Sequence, residues 1–224
     1  MRGWRIALKG LSDTLEYLLP FFIASVSWWV SLVTVVLAPV TTKSLFRVAD
    51  PRIASNLERA GIWENARQPI AKAGNGWRLL FLTLVPIVIL LGNLAFYTTS
   101  DRGWRLLIPL WFVLLCMFVI VSLVAWSIVS LFDQSAGHAL RLAAAISLGR
   151  PRQLFSTLLV AGPVVLLASL LVVPLFLFVP ATVAAITNRF TLDGLGIKVA
   201  DPLEPSDERI AEQLKEAGGK RFGP

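Results

Sequence analysis

The side chains able to do chemistry in this chain are few. There is one cysteine, Cys116, and one histidine, His138. Asp133 and His138 stand five apart, with Arg141 three further on. A carboxylate and an imidazole so spaced could serve as acid and base, and with Arg141 they would suit an enzyme acting on lipid at an interface. No nucleophile is paired with them, so a solvated helix end is the simpler reading. A lone cysteine and a lone histidine cannot build a zinc site. HExxH and Walker lysine motifs are absent, and the glycines of "AGNGW" lack the strand–turn–helix setting of a nucleotide fingerprint. We expect no catalytic, cofactor-binding or metal-binding residues. Asn188-Arg189 close the last apolar run; an Arg there can reach lipid phosphate or cap helix carbonyls, and structural anchoring is the expected role.

The elements that must carry these residues are apolar. Apolar residues make up 56% of the 224, charged residues 16%, and mean hydropathy is +0.71. A soluble domain has ~45–50% and ~25% respectively, so the lipid bilayer is the expected solvent and partner. The net charge of +7 does not point to nucleic acid, because the basic residues are divided among the connections between apolar runs.

A membrane-spanning helix needs ~20 mostly apolar residues. Tyr17–Val40, Leu79–Thr98 and Leu106–Phe132 qualify. The uncharged stretch from Leu154 to Asn188 is too long for one span, and Gly162-Pro163, Pro174 and Pro180 interrupt it. Proline removes a helix hydrogen bond and bends or breaks the helix. This predicts a fourth span over Leu154–Val173 and a short fifth segment over Leu175–Thr187, tilted or re-entrant. The expected fold is therefore all-α, a polytopic transmembrane helix bundle of four spans plus that segment. Trp77 and Tyr97 are 20 residues apart, ~30 Å of helix, matching the two interfacial aromatic belts; Trp104 would mark the outer belt again. Cys116 should be buried mid-span. Residues 1–16, with Trp4, Ile6, Leu8, Leu11 and Leu15 among Arg2, Arg5, Lys9 and Asp13, suit an interfacial amphipathic helix.

Lysine and arginine orient the bundle. With five passages and the N-terminus outside, the cytoplasm receives 16 and the outside 5, as the positive-inside rule favours. The C-terminus is then cytoplasmic. Three basic residues of the N-terminal segment are left outside, and a four-passage chain with its N-terminus inside is the competing arrangement.

The connection from Thr41 to Arg78 exceeds the ~12–15 residues that usually lack structure. Ile53, Leu57 and Ala60 fit one face of a surface helix. With seven basic and three acidic residues, the loop is the expected cytoplasmic docking surface for a membrane-protein partner. Arg59, Arg67 and Trp63 are its candidate contacts, and attraction to anionic lipid is the alternative. Residues 17–190 form the transmembrane domain and 191–224 a charged tail, where Ser206 could cap a short helix.

Hydroxyls recur at helical spacing at Ser27, Ser31 and Thr34, and more loosely at Ser122 and Ser130. Small residues four apart allow close helix packing, a pattern repeated at Ala181 and Ala185. Helix packing is the expected role, and a solute path the alternative. Trp28-Trp29 lie mid-span, where at least one should pack inside the bundle.

The segment "SWWVSLVTVVLAPVTTKSLFRVA" resembles the first span of YesL-like bacterial membrane proteins. There a Trp-containing span ends in a proline- and threonine-bearing motif that leads into an amphipathic helix. Trp28, Trp29, Pro39, Thr41, Leu45 and Phe46 are the counterparts, while Ala38 stands where a glycine is expected. The stretch "ALRLAAAISLGRPRQLFSTLLV" resembles that family's third loop. The resemblance implies a non-enzymatic accessory or assembly subunit of a membrane complex related to carbohydrate transport. It supplies no catalytic residues. The alternative is a homo-oligomeric transporter or channel for a small solute, with the hydroxyl stripe lining its path.

Overall fold

The computed structural model describes residues 3–34, 36–54, 73–99, 104–171, 173–197 and 199. Every regular element among them is helical. In chain order these are α1 (Gly3–Glu16), α2 (Leu18–Thr34), α3 (Ala38–Val48), the single turn α4 (Pro51–Ala54), α5 (Ala73–Thr99), a 3-10 turn at Trp104–Leu107, α6 (Ile108–Phe132), α7 (Ala136–Gly149), α8 (Pro151–Leu171) and α9 (Val173–Gly194).

Among the described residues, α5 and α6 are two helices long and apolar enough to cross a membrane, and a third candidate arises if α1 and α2 are one broken span. They pair as a hairpin. Tyr97 stacks on Trp111 at 5.9 Å and leans on Trp104 at 6.3 Å, fixing aromatic rings at the hairpin's connection. Only 11% of either apolar window is buried. Phe81, Val85, Val88 and Ile89 on α5, and Leu110, Phe112 and Val113 on α6, face outward. Such an apolar exterior is stable only against lipid or another apolar surface.

Cys116 belongs to this exterior: it is exposed, not buried as its mid-run position suggested. Helical periodicity explains this, because a mid-span residue can face either the bundle or the lipid. A lipid-soluble maleimide should therefore label Cys116 readily in membranes, while a membrane-impermeant one should not. Labelling by the impermeant reagent would mean that this face of α6 meets water.

The apolar run Tyr17–Val40 is not one helix. α1 and α2 meet at 95°. α2 ends at Thr34, and α3 begins at Ala38 with a proline in its first turn. Pro39 is favourable there, since the early N–H groups of a helix have no partner within it. The 17 residues of α2 give about 25 Å, short of a full span.

The end of the chain departs from expectation in the opposite direction. Pro163 and Pro180 lie inside α8 (Pro151–Leu171) and α9 (Val173–Gly194). The fifth segment is thus a helix of 22 residues, about 33 Å, not a stub. A neighbouring hydroxyl helps α9 tolerate Pro180: the N–H of Ala181 donates to Ser25 Oγ at 3.2 Å. Packed helices can re-satisfy backbone groups freed by proline in this way. Pro174 is the second residue of α9.

α1 packs on α8 and α9; α2 packs on α3 and α9; α6 packs on α3, α7 and α9. Their shared core includes Ile6, Phe21, Phe46, Leu79, Ile128 and Ala185. Ala181, Ala184 and Ala185 are buried, which lets neighbouring backbones approach α9. α1 sits tightest. A Cβ on Gly10 would lie 2.7 Å from Ile186 Cγ1 and 2.9 Å from its backbone, and one on Gly3 would strike Ser156 and the Gln153 carbonyl. A Gly10→Val variant should lift α1 from α9. Protease cleavage near the N-terminus should then rise sharply, and an unchanged pattern would contradict the tight seat.

Candidate functional site

The polar residues of the helix ends form several clusters, most of them between helices. Lys43 and Arg47 are four apart on α3, hence on one face. Both reach Asp133: Lys43 Nζ to Oδ1 at 2.5 Å, and Arg47 Nη2 to Oδ2 at 2.8 Å. Asp133 caps α6 in the left-handed conformation, with φ +52°, a region that Asp enters more readily than most residues. Arg47 Nε donates to the Ser130 carbonyl at 2.9 Å, satisfying an acceptor left open at the end of α6. The Lys43 side chain is 1% exposed, so its charge is tolerable only because the carboxylate is beside it.

Asn188 is fully buried. Its amide donates to the carbonyls of Phe46 at 2.7 Å and Ala49 at 2.9 Å, and its oxygen accepts from Ser127 Oγ at 2.7 Å. One side chain on α9 thus closes the C-terminal end of α3 and holds α6. Next to it, Arg189 grips both oxygens of Asp13 on α1, at 2.5 and 2.7 Å. The two side chains are 7% and 6% exposed. Planar two-point pairing is the geometry in which arginine best offsets its desolvation.

Further along α9, Asp193 takes Arg150 at 3.3 Å and Gln153 at 2.5 Å. Arg150 also donates to the Asp193 carbonyl at 2.9 Å. Asp50 receives the backbone N–H and guanidinium of Arg52, and that guanidinium lies 5.2 Å from the Phe132 ring centre. Asp13, Asp50, Asp133 and Asp193 are therefore all neutralised by basic partners. The pairs of Asp13, Asp133 and Asp193 join separate segments of the fold, while that of Asp50 is local.

His138 is exposed on α7, and no hydrogen bond joins it to Asp133. The pair that could have served as acid and base is not brought together. Asp133 is a cap and ion-pair centre, not a solvated helix end. Among the described residues, no group of three His, Cys, Asp or Glu could hold a metal ion. Arg189 is too enclosed to meet lipid phosphate; its anchoring role is internal.

The hydroxyl stripe divides. Ser27 is exposed. Ser31 is buried and bonds to the Trp28 carbonyl and to Thr41 Oγ1. Thr34 closes α2, but its side chain lies outside the described set. Trp28 Nε1 donates to Thr42 Oγ1 at 2.9 Å, and Trp28 meets Trp29 edge-on at 5.1 Å. Trp28, Ser31, Thr41 and Thr42 thus stitch α2 to α3. Ser122 and Ser130 are buried on α6, Ser122 bonding back to the Phe118 carbonyl. The docking candidates Arg59, Arg67 and Trp63 lie outside the described residues, as do Leu57, Ala60 and the tail from 200 onward.

Sequence reasoning did not single out Asp13, Lys43, Arg47 or Ser127 as site residues. A signal existed for two of these groups. Asp13 falls on the stripe of Ile6, Ala7 and Gly10, where a charge must find a partner. Lys43 and Arg47 share a face directly after the Pro39 start. Ser127 carries no local signal.

Comparison with protein-family models, curated proteins and solved structures gives no match.

Proposed function

We propose that this chain is a non-enzymatic, multi-pass protein of the bacterial inner membrane, serving as an accessory or assembly subunit of a membrane complex. One observation carries the reading: the charged groups of the helix ends are spent on one another. Asp13, Asp133 and Asp193 bind basic partners on other helices, and Asn188 has donors and acceptor occupied. That arrangement suits a rigid scaffold better than a site of turnover. The exterior of α5 and α6 offers apolar area to lipid and to a membrane-embedded partner or second copy. The YesL-like resemblance of Trp28–Phe46 extends the reading toward carbohydrate transport. A path for solute along Ser27, Ser31 and Thr34 is less well supported, because Ser31 is consumed by Thr41.

The same contacts favour a topology other than an outside N-terminus. Gly3 lies against the first turns of α8, Asp13 against the last turns of α9, and α3 against Asp133. The N-terminal helix, the 41–78 loop, the 133–152 connection and the chain after α9 would then share one side. That side would hold 19 of the 21 basic residues, leaving only Arg102 and Arg105 across the membrane. This bias exceeds the 16 to 5 of the five-passage arrangement and fits the positive-inside rule better. It requires α2 and α3 to enter and return without crossing, with α5, α6, α8 and α9 as the spans.

Purification in mild detergent, followed by mass spectrometry, tests the accessory reading. A stoichiometric membrane-protein partner is the expected result. Solute flux in liposomes holding this protein alone would overturn it in favour of a transporter or channel.

A further inference from the structure

The described carboxylates are five: Asp13, Glu16, Asp50, Asp133 and Asp193. The four aspartates are neutralised within the protein. Arg141 and Arg152 are exposed, and no described acid lies within ion-pair distance of either.

Their placement is patterned. α7 buries Ala136, Ala139, Ala143 and Ile146. Its outward stripe runs through His138, Arg141, Ala145 and Leu148, at spacings of three and four. The outward face of α8 begins with Arg152 and continues through Phe155 and Leu159, which are 69% and 65% exposed. One helical turn therefore separates a free guanidinium from bare apolar side chains. A helix entering a bilayer needs this order, with a cation among the headgroups and aromatic and aliphatic groups beneath them. Leu148, 61% exposed, gives the end of α7 the same character.

We propose that the α7–α8 corner, through Arg141 and Arg152, is a binding surface for the headgroup phosphates of anionic phospholipids. The proposal rests on the membrane reading above and names which lipid that membrane must supply. Two guanidiniums without an ion-pair partner among the described residues supply charge-assisted donors to phosphate oxygens. Phe155 and Leu159 supply the acyl contacts that a free phosphate ion could not use.

Native mass spectrometry of the full chain, released from mixed micelles of phosphatidylglycerol and phosphatidylcholine, tests this. The parent protein should retain phosphatidylglycerol preferentially. Arg141→Gln/Arg152→Gln should lower that preference about thirtyfold, on the electrostatic attraction expected of two basic residues at a lipid surface. Arg141→Lys/Arg152→Lys should keep most of it, which separates loss of charge from loss of fold. Arg105→Gln, on the other connection, should leave it unchanged. Equal retention of the two lipids by the parent, or an equal loss in Arg105→Gln, would overturn the proposal. Alkaline carbonate extraction separates this from the membrane reading. Parent and variant should both stay in the membrane pellet, and release of the parent would sink the membrane reading itself.

Discussion

Asp13→Ala is expected to cost about 3–5 kcal/mol, the largest loss among single changes in α1. Deleting one partner of a buried ion pair leaves the other charge uncompensated. Arg189 would be that charge, with 7% of its side chain exposed and no second carboxylate on it among the described ion pairs. α1 is held to α9 by this pair and by the close fit at Gly10, so its release should come first. The pair itself need not be worth that much. Replacing both partners with apolar residues of similar size often proves neutral or stabilising. The Asp13→Leu/Arg189→Met double variant should therefore recover most of the loss. Unfolding in mixed micelles, followed by tryptophan fluorescence, would measure both. A double variant as unstable as Asp13→Ala would show that the charges act through some contact other than each other.

Asn188→Leu is the second large effect. The substitution keeps roughly the volume and removes every hydrogen bond of the amide. The carbonyls of Phe46 and Ala49 and the hydroxyl of Ser127 would lose their partner in a buried place. Each such group costs about 1–3 kcal/mol when left unsatisfied. The expected result is a loss of several kcal/mol, with α3 detaching from α9. Asn188→Asp should be similarly harmful, because it turns a donor toward two carbonyls into an acceptor. Adding Ser127→Ala to Asn188→Leu should cost less than the sum of the two single changes, since Ser127 has already lost its partner. Strict additivity would contradict the shared bond.

These effects also show what was legible in the residues and what was not. The apolar runs at 79–98 and 106–132 became α5 and α6, because length and composition alone decide such helices. The breaks were harder. Pro39 was read as the tail of a span, whereas it opens α3; a proline near a helix start and one near a helix end leave the same mark in a sequence. The stretch from 154 to 188 was divided at Pro174, with Pro163 and Pro180 as interruptions inside the two segments, and α8 and α9 run through both prolines. For Pro180 the help comes from Ser25, 155 positions away in the chain, and no local pattern reveals that. The site followed the same rule. Asp133 and Asn188-Arg189 stood out because polar groups beside apolar runs are costly. Their partners Lys43, Arg47 and Asp13 lie on distant segments, and only the folding of α1 and α3 against α6 and α9 brings them into reach. The serine stripe failed in part because one helix face carries both Ser31, turned toward α3, and Ser27, turned away.

The proposed sidedness of the membrane rests on the same interhelical contacts as the scaffold reading, and it decides which face the lipid surface occupies. Single-cysteine labelling in intact cells tests it most directly, with Cys116→Ser as the background. An impermeant maleimide should reach Asp101→Cys from outside. It should reach Arg5→Cys and Ser135→Cys only after the cells are opened. Labelling of Arg5→Cys from outside, with Ser135→Cys still protected, would contradict the account and restore a five-passage chain whose N-terminal helix lies across the membrane from α7.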